Sequence, residues 1–240
     1  MASACTTQTG SIDPLPELAA LAAERDLWLH VDGAHGASAV LSPKYRPLLA
    51  GIERADSVVW DAHKMMLQPA LVTVVLFRRA DDARGAFAQN AAYLFEPADP
   101  ERNAYDLGLR TLECTKRMVG FHLYVTLATL GTRALGDYVA TTFDLARALA
   151  DRLRDAPDFE LACEPDTNIV CFRYTPSNVA ASELDALQSR VHAAILTAGD
   201  HVIVQTKLPY GTSLRVTLTN PFTTEEHLDS MLAAIRSATR

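Results

Sequence analysis

Two short apolar runs constrain this chain more than any other feature in it. LWLHVD (Leu27 to Asp32) and DSVVWD (Asp56 to Asp61) are short and bounded by turn-forming residues, which favours buried strands over helices. Between them lies SPKYRPLLAGIERA (Ser42 to Ala55), a candidate crossover helix that Pro47 must break or shorten. Strand, helix and strand within about thirty residues make the βαβ unit of an α/β sheet. LVTVVLFRR (Leu71 to Arg79), with more β-branched residues, reads as a third strand. If the first two strands run parallel, Asp32 and the cluster Asp61 to Lys64 emerge at one edge of the sheet. That carboxyl edge is where open α/β sheets bind ligands.

The flanking sequence adds elements of both kinds. Asp13 as N-cap and Pro14 at the first helical position predict a helix over Ile12 to Glu24, with Leu15, Leu18, Leu21 and Ala22 on one face. The opening MASACTTQTGSIDPLPEL brings strand-like and turn residues at once, so the chain is expected to start inside a larger fold. Arg84 to Gly108 reads as a long loop of the kind that forms lids or binding segments. Helical spacing then runs from about Thr115 to Arg154, with Gly131 and Gly136 marking a kink or break. Further on, FELACE, NIVCFRYTP, HVIVQTKL and SLRVTLTNP alternate with two helices that open at Ser182 and Thr224 on acidic first turns. The expected division is therefore 1–110 for the α/β part, 111–157 for a linking helical segment, and 158–240 for a small α+β domain.

Composition removes several classes. A formal net charge of −7, with no basic run, argues against nucleic acid as a partner. No apolar run reaches membrane-spanning length, so no membrane is expected. Four cysteines without CxxC spacing indicate neither a zinc knuckle nor a disulfide framework, and a cytoplasmic location is the simplest expectation.

Lys64 is the strongest candidate nucleophile, because a lysine amine kept partly from water can attack a carbonyl. Its plainer reading is a surface lysine after a strand. Asp32 fits either a partner for a buried cation or protonated ring nitrogen, or a loop-capping carboxylate at VDG. His63 fits a phosphate contact, a ring contact or a structural role. A metal site from His30, Asp32, His35, Asp61 and His63 competes, but HExxH is absent and Lys64 would repel the ion. GxGxxG, GxxxxGK and GxSxG are absent as well.

HVDGAHG (His30 to Gly36) followed by ADSVVWDAHKMMLQP (Ala55 to Pro69) resembles the group II pyridoxal-phosphate (PLP) amino-acid decarboxylases of fold type I. The resemblance continues in CTTQTGSIDPL (Cys5 to Leu15), YDLGLRTLECTKR (Tyr105 to Arg117), NIVCFRY (Asn168 to Tyr174) and LRVTLTNPFTT (Leu214 to Thr224). HKMMLQP and LECTKR look most like bacterial diaminobutyrate decarboxylase-like members. The resemblance implies a mostly parallel PLP-binding large domain, present in its C-terminal portion, followed by a small α+β domain. It implies a lyase of amino-acid metabolism that releases an amine and CO2 through a Schiff base at Lys64. Asp32 would pair with the pyridinium nitrogen, Ala34 would pack on the ring, His63 would lie near the phosphate, and Thr6 near the ring substituents or the substrate carboxylate. The family's phosphate turn and stacking histidine come from a stretch preceding the segment that matches Cys5. Glu101 stands about where its loop tyrosine, the proton donor, is expected, while Tyr105 belongs to the YDLG motif. Arg215 is a candidate carboxylate contact, its plainer reading being a structural surface arginine. A homodimer is implied. The departures leave two alternatives, an aldehyde-forming or lyase activity of the same cofactor, and a non-catalytic fragment that associates with another subunit.

Overall fold

The computed structural model describes residues 1–87, 106–113 and 115–238. Two four-stranded sheets follow one another along the chain. The first contains β1 (Ala2–Ser3), β2 (His30–Asp32), β3 (Ser57–Asp61) and β4 (Thr73–Phe77), in that spatial order. β1 pairs with β2 and β2 with β3, both parallel, with Asp32 opposite Val59. The parallel expectation for the two chemistry-bearing strands is met. β4 returns antiparallel on β3, a pairing that the short stretch 66–72 can span where a parallel crossover could not.

Several sequence-based expectations need correction. The crossover between β2 and β3 is not an α-helix but three 3-10 turns, Gly36–Leu41, Arg46–Leu49 and Ile52–Arg54. Pro43 and Pro47 withhold backbone donors, and Gly51 takes a φ of 94° with its missing side chain against Leu15 and Pro16, so no continuous helix can form. The first helix, α1, spans Leu15–Glu24 with Pro14 in the cap position. Asp13 does not cap it: its Oδ2 accepts from the Ser3 amide at 2.7 Å and holds β1 in place. A short helix α2 (Ala62–Met65) follows β3 directly, and α3 (Ala80–Phe87) follows β4. The expected loop from Arg84 begins inside α3, and most of it lies outside the described residues, Glu101 and Tyr105 included.

The long helix α4 (Val119–Asp155) joins the two halves and breaks its helical geometry at Gly131, φ 76°. Gly136 marks no kink. It is buried where a methyl group would collide with the Leu41 carbonyl, so it permits close packing of α4 on the crossover. The second sheet comprises β5 (Phe159–Leu161), β6 (Ile169–Tyr174), β7 (Val204–Leu208) and β8 (Gly211–Thr217), in the order β5-β6-β8-β7 and antiparallel throughout. Helices α5 (Leu184–Ala198) and α6 (Glu225–Ser237) cover it. Ser182 caps neither, since a 3-10 turn, Ala181–Glu183, leads into α5. Thr224 does cap α6, in a reciprocal box whose third residue is His227 rather than an acid. One core packs β1, β2, α1, α2 and α4 up to Phe143; the other runs from Ala146 through β6 and β8 to Ile235. The architecture is α/β with a mostly parallel first sheet and an α+β second part, as expected.

Candidate active site

The carboxyl ends of β1, β2 and β3 meet a short loop, residues 33–36, that backbone hydrogen bonds fix from three sides. Gly33 N donates to Val59 O at 3.1 Å, Asp61 N to Ala34 O at 3.0 Å, and Gly36 N to Ala4 O at 3.2 Å. Gly36 is required here, because any β-carbon would strike the Ala4 carbonyl. The loop sets Asp32 and Ala34 side by side: Asp32 Oδ1 accepts from the Ala34 amide at 3.1 Å.

Lys64 projects from α2, one turn beyond the end of β3. Its Nζ lies 2.9 Å from Asp61 Oδ2, and Thr73 Oγ1 donates to the other Asp61 oxygen at 2.6 Å. Burial opposes charge on Asp61, but the hydrogen bonds from Thr73 and Lys64, with the charges of Lys64 and His63, outweigh it. They hold the carboxyl below the usual carboxylate range.

A cavity of about 120 Å³ opens between the two sheets at this point. Thr6, Asp32, Ala34 and Lys64 all line it, so four of the five expected site residues come together. The second sheet supplies Ile169 from β6 and Arg215 from β8. Among the described residues Arg215 Nε is buried without a hydrogen-bond partner, a donor left waiting beside the cavity. His63 is not among the lining residues. Its Nδ1 lies 3.1 Å from Val72 O and 3.2 Å from Val72 N, which turns the ring onto the backbone leading into β4. His30, offered as a metal ligand, places Nδ1 2.7 Å from Ser57 Oγ instead.

Cys5 and His35 also line the cavity, and sequence reasoning gave neither a role in cofactor chemistry. Cys5 has a φ of 95° and sits where the chain leaves β1. Burial pushes its thiol up to about 11, against the Thr167 hydrogen bond and the charges of Arg215 and Lys64. The available signal for His35 was its place in HVDGAHG, three residues after Asp32; its partner, Asn168, is remote in sequence. A larger groove of about 670 Å³, between β4, α3, residues 107–113 and Lys116, has mainly apolar walls, and none of the candidate chemical residues lines it.

The residues fit the cofactor that such a cavity suggests. An amine, a carboxylate with one oxygen uncommitted to the loop, a small apolar side chain and an unpaired guanidinium meet in one space. They match a carbonyl, a ring nitrogen, a ring face and an anionic group. Comparison with known proteins identifies the class. The pyridoxal-dependent decarboxylase conserved domain matches residues 1–175, and the chain belongs to that family.

Among individual relatives, acidic amino acid decarboxylase GADL1 of Mus musculus is 37% identical over 183 residues, covering 76% of this chain and 33% of its own length. L-2,4-diaminobutyrate decarboxylase of Rhizobium meliloti (strain 1021) is 33% identical over 241 residues, covering 100% of this chain and 48% of its own length. The chain thus spans about half or less of these relatives. Mouse CSAD in apo form superposes with a TM-score of 0.88 at 26% identity, over 99% of this chain and 51% of that one. The glutamate decarboxylase domain of a Vibrio parahaemolyticus diaminobutyrate-pyruvate transaminase and L-2,4-diaminobutyrate decarboxylase superposes at 0.80, with 29% identity, over 99% and 45%.

Proposed function

We propose that this chain carries the lysine-bearing side of an active site that decarboxylates an L-amino acid to its amine and CO2, with Lys64 as the Schiff-base lysine. One observation carries the reading: the Lys64 amine and the Asp32 carboxylate, from the ends of adjacent parallel strands, line one cavity. Bound there, pyridoxal phosphate supplies a carbonyl for the amine and a protonated ring that takes up the electron pair left by departing CO2. Asp32 holds the proton on the ring nitrogen, since a carboxylate favours a neighbouring cation. Ala34 gives the ring a flat apolar contact, and Thr6 offers a hydroxyl at the rim. Asp61 holds the Lys64 ammonium in position before reaction, at 2.9 Å. Arg215 receives a substrate carboxylate, which satisfies its free donor.

The reading extends to assembly and setting. A homodimer is proposed, supported by the apolar side chains that β4 and the first turns of α4 leave exposed, among them Leu76, Phe121 and Tyr124. A cytoplasmic location is proposed on the free thiols of Cys5, Cys163 and Cys171. The division at about 110 and 157 belongs to the same proposal and is supported by the two separate cores. The deciding experiment incubates the chain with pyridoxal phosphate and follows the visible Schiff-base absorbance. Wild type develops the band and Lys64→Ala does not; a band that survives the substitution sinks the lysine assignment. Product analysis then separates amine and CO2 from an aldehyde.

A further inference from the structure

His35 lines the cavity, and the proposed chemistry leaves it without a task. Its Nε2 lies 2.7 Å from Asn168 Oδ1. The Asn168 amide has one workable orientation, because its Nδ2 donates to the Leu218 carbonyl at 2.9 Å and faces Met65 Sδ at 3.5 Å. Oδ1 is therefore an acceptor, His35 Nε2 carries the hydrogen, and Nδ1 keeps its lone pair. Among the described residues Nδ1 has no hydrogen-bond partner, in a ring that lines the cavity beside Lys64 and Asp32.

The charges around this ring are lopsided. Burial first, and then the cations Lys64 and Arg215, push the His35 pKa below its ordinary value, while the Asn168 hydrogen bond and Asp61 work the other way. Asp32 and Cys5 complete the titratable groups of the same cavity. The result is a neutral imidazole with a fixed lone pair, placed among donors and cations.

We propose that His35 Nδ1 is the proton acceptor for the ammonium group of an amino acid bound in this cavity. One N–H bond of the ammonium breaks and one forms on Nδ1. The amino nitrogen keeps the electron pair and becomes a nucleophile, and nothing is oxidised or reduced. The imidazolium so formed still donates from Nε2 to Asn168 Oδ1. Arg215 makes the step conditional: while its guanidinium is unpaired, an imidazolium adds a further positive charge beside Lys64 and Arg215. A carboxylate on Arg215 cancels part of that repulsion. His35 therefore becomes basic enough only once the amino acid's own carboxylate has arrived. The substrate class in this inference rests on the proposed function.

Histidine NMR on the full chain without cofactor tests it, the His35 resonances being identified by their loss in His35→Gln. The expected state at neutral pH is the uncharged tautomer with hydrogen on Nε2. Propionate, a carboxylate without an amine, should raise the titration midpoint by about one pH unit. Arg215→Gln should raise the midpoint by itself and remove the response to propionate. With the cofactor loaded, His35→Gln, which keeps a donor for Asn168, should slow exchange of the Lys64 Schiff base with an amino acid by roughly a hundredfold, leaving the resting absorbance in place. Hydrogen on Nδ1, a charged ring at neutral pH, or a midpoint that ignores propionate each overturns the proposal and leaves the Lys64 reading standing. A band that survives Lys64→Ala overturns that reading and leaves the tautomer and the propionate response still measurable.

Discussion

β6 and β4 are both built largely from apolar residues, yet the molecule treats them oppositely. All six residues of β6 are buried, between β5 and β8 and under the helices. In β4, Thr73, Val75 and Leu76 are exposed, and the strand lies at the edge of its sheet. The contrast separates stability from chemistry. β6 buries its apolar side chains within the described chain, whereas the first sheet holds Asp32 and Lys64 near its carboxyl edge and leaves apolar side chains of β4 exposed. Apolar burial contributes roughly 25 cal/mol per Å², so truncating a side chain of β6 should cost more stability than truncating one of β4.

The comparison breaks most readily at Phe172. It is fully buried in β6, with its ring 6.0 Å from that of Phe159, and Phe172→Ala should cost roughly 3–5 kcal/mol in urea unfolding. A loss under about 1 kcal/mol would show that burial in β6 does not carry the stability expected of it. Gly36→Ala comes next, at about 1–3 kcal/mol, because the new methyl must displace the Ala4 carbonyl. It should also weaken cofactor binding, measured by absorbance titration, since the loop carries Asp32 and Ala34.

A smaller effect contrasts two carboxylates. In the second half, Asp158 receives two hydrogen bonds from Arg236, at 2.6 and 2.8 Å, which with the arginine charge hold its carboxyl low against burial. Asp61 is likewise held low in the first half. A carboxyl lowered on folding stabilises above its unfolded pKa of about 4, and that stability disappears as pH falls through the folded value. Asp158→Asn and Asp61→Asn should each cost about 1 kcal/mol or less at pH 7. Both gaps should close on acidification, followed by urea midpoints, and Asp158→Asn should show the larger one because its arginine pairs through two bonds. A gap that widens in acid would refute the linkage. Smallest of all, Leu76→Ala on the open face of β4 should change stability by less than about 0.5 kcal/mol.

Much of the site was legible before any fold was available. Asp32 and Lys64 are recognisable because each follows a short apolar run, and parallel pairing brings the ends of such runs together. Thr6 and Ala34 entered through the resemblance and do line the cavity. His63 could not be placed from sequence, since adjacency to Lys64 does not say which way a ring turns, and the Val72 peptide takes it. The crossover was expected as a helix that Pro47 would break or shorten, because a segment between parallel strands is commonly helical, and the prolines left only 3-10 turns. Likewise, Asp13 had the right neighbours for a cap, but the β1 amide offered a better donor.

The amino-acid sequence by itself determined most of the strands, the long helix and the residue types of the chemistry, because these follow from local apolar spacing and from what each side chain can do. Only the tertiary structure decided which residues share a space. His35 and Asn168 stand 133 positions apart, and Arg215 reaches the cavity from a different sheet. Contacts of that kind depend on how two cores pack along one helix, and no local pattern encodes the direction a side chain takes once the backbone around it has closed.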